Sequence, residues 1–293
     1  MNGQPVPDAL TQPQAAGPRL ERRRWVLIAL AWGPVALVIL AVVASGEASR
    51  VGNALSGASL PLVAALLPIG LLLPVVHARR WQLMLAGIGE PVGLLDAIEM
   101  TVTASMVNYA IPGYSGSPAK GALVRQLHGV GFRRSIPTLA AEQVLDVLAL
   151  LAGSVIGVSL ALASGVDLTG LKDRSAAVSI GAALALGVAA LVIAVVLLRR
   201  FGRSFARAVL DTSRLLVRDR SLRLPLTWLT LVYWALNVAA VWVAAEAVGI
   251  TLHPLALLLL SNLPLLLGLL SPLPGGIGVR EGAMTVVAGA LTL

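Results

Sequence analysis

The sequence predicts an all-α polytopic membrane protein of about six to eight membrane segments, two of them re-entrant and broken by proline and glycine. Three observations carry that expectation. Only 12% of the 293 residues are charged and 57% are hydrophobic, whereas a soluble domain carries about 25% charged residues. Apolar runs at 25–45, 60–76, 94–111, 136–163, 176–198, 224–250 and 255–271 approach or reach the ~20 residues needed to cross a ~30 Å hydrocarbon core. Two stretches, NYAIPGYSGSPAK (108–120) and SPLPGGIGVRE (271–281), interrupt that pattern with helix breakers and polar groups.

Taken in order, residues 1–24 are rich in Pro, Gln and Ala and end in RLERRR, the composition of a disordered cytoplasmic tail. Residues 25–293 read as a single transmembrane domain. Trp25 to Ser45 is uncharged for 21 residues, longer than the apolar part of a signal peptide, so it reads as a retained first helix. Run 60–76 carries Pro61, Pro68 and Pro74 and is expected to kink. Run 94–111 is the weakest spanning candidate because it contains Asp96, Glu99 and Asn108. Trp25, Trp81, Trp228 and Trp242 lie toward run ends and read as interfacial anchors. Gly153-x-x-x-Gly157 suggests close helix packing, while Asn237 and Asn262 read as polar glue between helices.

The basic residues decide the topology. If every run spans, Lys120, Arg125, Arg133, Arg134 and the eight arginines between 199 and 223 face outside, against the positive-inside rule. If instead 94–111 enters from the cytoplasm, breaks at Pro112-Gly113 and returns through 116–130, 18 basic residues lie inside. Only Arg50, Lys172 and Arg174 then lie outside, with Arg280 at membrane depth. The same topology brings 255–271 in from the opposite side, to break at Pro272–Gly276. Two breaks entering from opposite faces about 160 residues apart are the pattern of an inverted repeat with discontinuous helices. Irregular backbone at that depth must be buried in protein or line a polar cavity, so the two breaks are expected to meet at one.

Composition also excludes chemistries. There is no cysteine, hence no disulfide, thiol nucleophile or Cys-ligated metal. His77, His128 and His253 are scattered, and no spacing suggests a metal site. No Walker motif is present, and no cofactor is expected. The net charge of +8 flanks apolar runs, which fits topology and anionic lipid and not nucleic acid.

Three constellations are candidates for function. Backbone donors at a helix start after Gly116, together with Lys120 and Arg125, would hold a lipid phosphate; the alternative is a basic loop end that sets topology. Glu142 and Asp146, at i and i+4, share a helix face and would carry protons, receive an ammonium group, or form an internal ion pair with Lys120, Arg125 or Arg280. Arg280 and Glu281 would form a buried pair beside the second break, with Arg280 on a lipid phosphate and Gly275, Gly276 and Gly278 allowing close approach; the alternative is a locked hinge. A rival reading is enzymatic: Ser117-Pro-Ala-Lys120 matches Ser-x-x-Lys, in which a desolvated lysine activates a serine. Its usual companion motifs are absent.

Pro112, Gly113, Gly116 and Lys120, then Glu142 and Asp146, then Pro274, Gly275, Gly276, Gly278 and Glu281 resemble, in order and spacing, the transmembrane region of the lysylphosphatidylglycerol synthase family. The resemblance covers roughly residues 25–293. Departures are Lys120 in place of Arg, Ser117 in place of an acid, and Gln143 in place of the Arg of a Glu-Arg pair. The resemblance implies binding or movement of a polar lipid, an aminoacylated phospholipid or a polyprenyl-linked precursor, between leaflets of the cell membrane. It does not imply lipid synthesis, because no aminoacyl-transferring domain is present, so the chain is expected not to be an enzyme. A homo-oligomer, or a non-transporting subunit of a separately encoded lipid enzyme, are further expectations.

Overall fold

The computed structural model describes residues 40, 43, 46, 48–110, 116–163, 203–271, 274–276 and 278–290. The expected tail at 1–24, nearly all of the first run, the run 176–198, and Pro112 and Gly113 lie outside the described residues. Among the described residues all regular structure is helical, as expected for this class. The helices are α1 (Ala48–Ser56), α2 (Leu60–Gly87), α3 (Leu94–Ala110), α4 (Gly116–His128), α5 (Phe132–Ala163), α6 (Arg203–Arg218), α7 (Arg220–Ala247), α8 (Pro254–Leu270) and α9 (Val279–Ala290). A 3₁₀ turn at Pro274–Gly276 joins α8 to α9. α2, α5 and α7 are long and apolar enough to cross a membrane.

Pro61 takes the second position of α2, where the missing N–H costs nothing. The helix continues through Pro68 and Pro74 and past the end of the apolar run at 76. That extension carries His77, Arg80 and Trp81 into the bundle. Arg80 and Trp81 are fully buried, so Arg80 is not an inner-surface topology charge and Trp81 is not an interfacial anchor. Trp228 and Trp242 do stand exposed. Asp219 caps α7: its carboxylate accepts from the Ser221 N–H at 2.8 Å and Oγ at 2.7 Å, bonds that hold it below the usual carboxylate range.

The chain repeats itself. α2 and α7 each have 28 residues and start at 60 and 220; α3 and α8 each have 17 and start at 94 and 254. Both pairs are therefore offset by 160 residues. The C-terminal turns match as well. The Gly89 N–H donates to Ala86 O and the Glu90 N–H to Leu85 O; 160 residues on, the Gly249 N–H donates to Glu246 O and the Ile250 N–H to Ala245 O. The same offset relates Gly116 to Gly276 and Lys120 to Arg280.

The two copies run in opposite directions. The Ser59 N–H at the start of α2 donates to Ala247 O at the end of α7 at 2.7 Å. At the other end, Met84 of α2 and Leu226 of α7 share one apolar cluster with Ala141 of α5. Short links then hang α3 and α8 from opposite ends of the bundle.

Each copy continues as an antiparallel hairpin. α3 and α4 join at a tip where a Cβ on Gly116 would lie 2.9 Å from Ala104 O and 3.0 Å from Asn108 Cβ. At their base His128 Nε2 stands 3.3 Å from Asp96 Oδ2. α8 and α9 pair likewise. A Cβ on Gly276 would lie 2.6 Å from Gly268 Cα, and Val287 packs with Ala256, Leu259 and Leu260. The helices are too short to cross a bilayer singly, since 17 residues reach only about 25 Å.

The hairpins meet at their tips. A Cβ on Gly275 would lie 2.5 Å from Tyr109 Cδ1 at the end of α3. α5 locks the second hairpin in place: Gly153 faces the Asn262 side chain at 2.7 Å and Gly157 the Leu259 backbone N at 3.0 Å, each measured from an added Cβ. The small-residue spacing thus packs α5 on α8, as small residues do where helices associate in lipid. Asn262 is buried against Gly153, but its amide donates to Leu258 O of its own helix at 2.8 Å.

Gly275 and Gly276 have φ of +57° and +72°, values that disfavour any side chain. Their surroundings differ, and so do the expected effects. Gly276→Ala drives a methyl into the α8 backbone, which cannot move aside, and is expected to lower the thermal midpoint of the purified protein in detergent by several degrees. Gly275→Ala meets the Tyr109 ring first. Adding Tyr109→Ala is expected to restore part of the loss at Gly275 and none of the loss at Gly276.

Candidate functional site

The bundle forms a half-open cavity of about 230 Å³ where the tips meet. His77 of α2, Asn108 and Tyr109 of α3, Ser117 and Lys120 of α4, and Glu142 and Asp146 of α5 line one part. Tyr233, Trp234 and Asn237 of α7, with Gly268, Gly275, Gly276 and Arg280 of the second hairpin, line the rest. Residues flanking both breaks therefore meet at a polar cavity, the place where irregular backbone inside a membrane bundle can be satisfied.

Its wall carries two buried charge pairs. Lys120 Nζ donates to Glu142 Oε2 at 3.1 Å, with both side chains under 5% exposed. Lys120 Nζ also lies 4.5 Å from the centre of the Trp81 ring, and Trp81 Nε1 donates to Thr138 Oγ1 at 3.3 Å. His77 Nε2 stands 3.0 Å from Glu142 Oε1, too poorly aligned for a hydrogen bond. One turn further along α5, Asp146 Oδ1 accepts from Arg80 Nη2 at 2.7 Å. The Arg80 guanidinium also lies 5.4 Å from the centre of the Tyr233 ring.

These pairs follow from helical spacing. Glu142 and Asp146 share a face, as expected, and so do His77, Arg80 and Trp81 on α2. Two facing stripes supply acid and base at matching heights. Lys120 and Arg80, unpaired at this depth, would each cost several kcal/mol.

The expected site residues divide accordingly. Lys120, Glu142, Asp146, Arg280, Gly116, Gly275 and Gly276 come together at the cavity. Glu142 pairs with Lys120, one of the partners expected, whereas Asp146 takes Arg80, which the sequence reading had placed at the inner surface. Arg125 does not join Lys120. Five residues separate them on α4, about 140° of rotation and 7.5 Å of rise; Arg125 lies over Phe132 instead, 5.1 Å from the ring centre.

The expected buried pair at the second break is not buried. Arg280 and Glu281 are 44% and 58% exposed, with Arg280 Nε 3.8 Å from Glu281 Oε1. Neighbours in a helix diverge by about 100°, so Arg280 borders the cavity and Glu281 does not; Glu281 Oε2 accepts from the Gly278 N–H at 2.7 Å while its Oε1 stays beside Arg280. The side chain of Pro274 lies outside the described residues.

Sequence reading missed His77, Arg80, Tyr233 and Trp234. All lie in or just beyond long apolar runs, and only the i, i+3 spacing of His77 and Arg80 could have flagged a polar stripe. Asn237, expected to bridge helices, lines the cavity and donates to Tyr233 O of its own helix at 2.8 Å. Trp234 Nε1 and Thr101 Oγ1, both of lining residues, are buried without a hydrogen-bond partner among the described residues. No group of three or more potential metal ligands occurs among them.

The charges set what the cavity favours. Lys120 balances Glu142 and Arg80 balances Asp146. Arg280 also lines the cavity, and its carboxylate partner, Glu281 at 3.8 Å, is exposed and does not. The arrangement therefore favours an anion. Lys120 meanwhile makes no hydrogen bond to Ser117 among the described residues, because Glu142 holds its ammonium group.

The pairing has a measurable signature. Asp146→Ala or Arg80→Ala alone strands a buried charge and is expected to lower stability by about 3–5 kcal/mol. Arg80→Met combined with Asp146→Leu removes both charges at similar volume and is expected to recover most of that loss. Thermal unfolding of the three variants in detergent distinguishes this from simple additivity.

The family profile described as "Lysylphosphatidylglycerol synthase TM region" matches residues 25–292. No curated protein and no solved structure matches the chain.

Proposed function

The chain belongs to the lysylphosphatidylglycerol synthase transmembrane-region family, and we propose that it binds the phosphate of a polar lipid headgroup in the cavity between its hairpin tips and passes that lipid between leaflets. The observation that carries the reading is Arg280, a guanidinium on the cavity wall whose ion-pair partner Glu281, 3.8 Å away, is exposed and does not line the cavity. A guanidinium presents two parallel donors that match phosphate oxygens. A cavity of about 230 Å³ takes a headgroup and leaves the acyl chains in the bilayer.

In this reading the two hairpins are re-entrant and enter from opposite faces of the cell membrane, the first from the cytoplasmic side together with the N-terminus. The short lengths of α3, α4, α8 and α9 and the opposed ends of α2 and α7 support it. Exposed leucines and valines on α2 and α5, among them Leu67, Leu71, Leu148 and Val155, supply lipid-facing surface. Lys120 and Glu142 shape the floor, and Asp146 fixes Arg80. Reading the chain as a transporter and not a Ser/Lys hydrolase rests on Lys120, whose ammonium group is bonded to Glu142 and so is not free to take a proton from Ser117.

The test is headgroup-selective lipid translocation in proteoliposomes. Wild type is expected to move a labelled anionic or zwitterionic phospholipid faster than protein-free vesicles. Arg280→Ala is expected to slow that movement by about tenfold, with the thermal midpoint within a few degrees of wild type because the residue is half exposed. Equal rates in wild type and empty vesicles for phospholipid and polyprenyl phosphate alike would overturn the transport reading in favour of a partner subunit of a lipid enzyme.

A further inference from the structure

Arg125 was expected at the cavity and instead borders a second pocket, at the base of the first hairpin. This open pocket is about 600 Å³ and is lined by Glu90, Arg125, Phe132, Arg133 and Arg134, with Gly129 and Gly131 between them. We propose that it is a second anion site, built for a phosphate with two ionisable oxygens, a monoester or free phosphate, and separate from the cavity at the hairpin tips.

The charge count comes first. Glu90 is the pocket's one acidic residue, and it is bonded to Arg134. The nearby Asp96 faces His128. Arg125 and Arg133 therefore enter the pocket as two positive charges with no ion pair among the described residues.

Geometry comes second. Arg125 is laid over the face of Phe132 at 5.1 Å. Stacking leaves the edge of a guanidinium open, and that edge carries its paired donors. Gly129 and Gly131 bring no side chain to the pocket, and a Cβ on either would have nothing within 4 Å. Room is thus kept beside the two guanidiniums, and the N-terminal end of α5, starting at Phe132, adds a favourable dipole.

Position comes third. The pocket lies at the base of α4, whose tip supplies Ser117 and Lys120 to the cavity. Lys120 and Arg125 are about 7.5 Å apart along the helix axis. A phosphate held here would sit at the membrane surface on the side from which the first hairpin enters.

The shared chemistry, a phosphate with two ionisable or charged oxygens, can come from a lipid headgroup or from solution. Purified full-length protein in a zwitterionic detergent is titrated with phosphatidic acid, with phosphatidylcholine and with inorganic phosphate, and adducts are counted by native mass spectrometry. Wild type is expected to take phosphatidic acid in preference to phosphatidylcholine. The double variant Arg125→Gln, Arg133→Gln is expected to lose one adduct, with affinity for that site down by roughly tenfold. Arg280→Gln is expected to retain that adduct, which separates this site from the cavity and keeps its fate independent of the transport reading. Displacement by millimolar inorganic phosphate assigns the site to soluble phosphate; persistence of the lipid adduct assigns it to a headgroup. Both arginines are exposed, so the double variant is expected to fold, as its elution profile and melting curve report. Folded double variant with wild-type adduct number and affinity would overturn the proposal.

Discussion

A charge held at the depth of these helices must be neutralised locally, and the arrangement around the cavity depends on that constraint. Glu142 and Asp146 on one face of α5 draw Lys120 from α4 and Arg80 from α2. Three helices that are separated in sequence are thereby fixed in register, because sliding any of them by one turn would leave two charges unpaired at several kcal/mol each. Packing among apolar surfaces in lipid has no comparable specificity, since the bilayer is as apolar as leucine.

Backbone satisfaction is the second constraint, and it explains why the breaks face each other. Helix breaks expose N–H and C=O groups that lipid cannot bond. Setting tip against tip brings the residues flanking both breaks to one polar cavity. The close approach needs glycine at Gly275 against Tyr109 and at Gly276 against Gly268. Polar side chains elsewhere in the helices resolve the same problem locally: Thr230 donates to Leu226 O, Ser105 to Thr101 O and Asn262 to Leu258 O.

Much of this was legible in the sequence, for identifiable reasons. Apolar run length gave the helices α2, α3, α5, α7 and α8 to within a few residues at most boundaries, and proline with glycine marked both breaks. The inverted repeat was visible only as two breaks about 160 residues apart; the matched helix lengths and Gly89/Gly249 turns make the correspondence residue by residue, Lys120 with Arg280 included. Three features were not legible. The extension of α2 beyond its apolar run hid Arg80, because a charged pair after a hydrophobic stretch reads as a helix end. Lys120 and Arg125 are close in sequence, but five helical residues turn them about 140° apart, which proximity in the chain does not report. Arg280 and Glu281 do pair, at 3.8 Å, but at the exposed edge of the cavity and not in its interior, a difference of depth that residue types do not report.

Opposed entry of the hairpins is the claim on which the transport reading rests, and the absence of cysteine from the chain makes it directly measurable. Single cysteines at Gln126, near the base of the first hairpin, and at Thr251, near the base of the second, are both at exposed positions. Each is labelled with a membrane-impermeant maleimide in right-side-out and inverted vesicles. The expected result is that Gln126→Cys reacts from the cytoplasmic face alone and Thr251→Cys from the opposite face alone. Labelling of both from the same face would contradict the inverted arrangement.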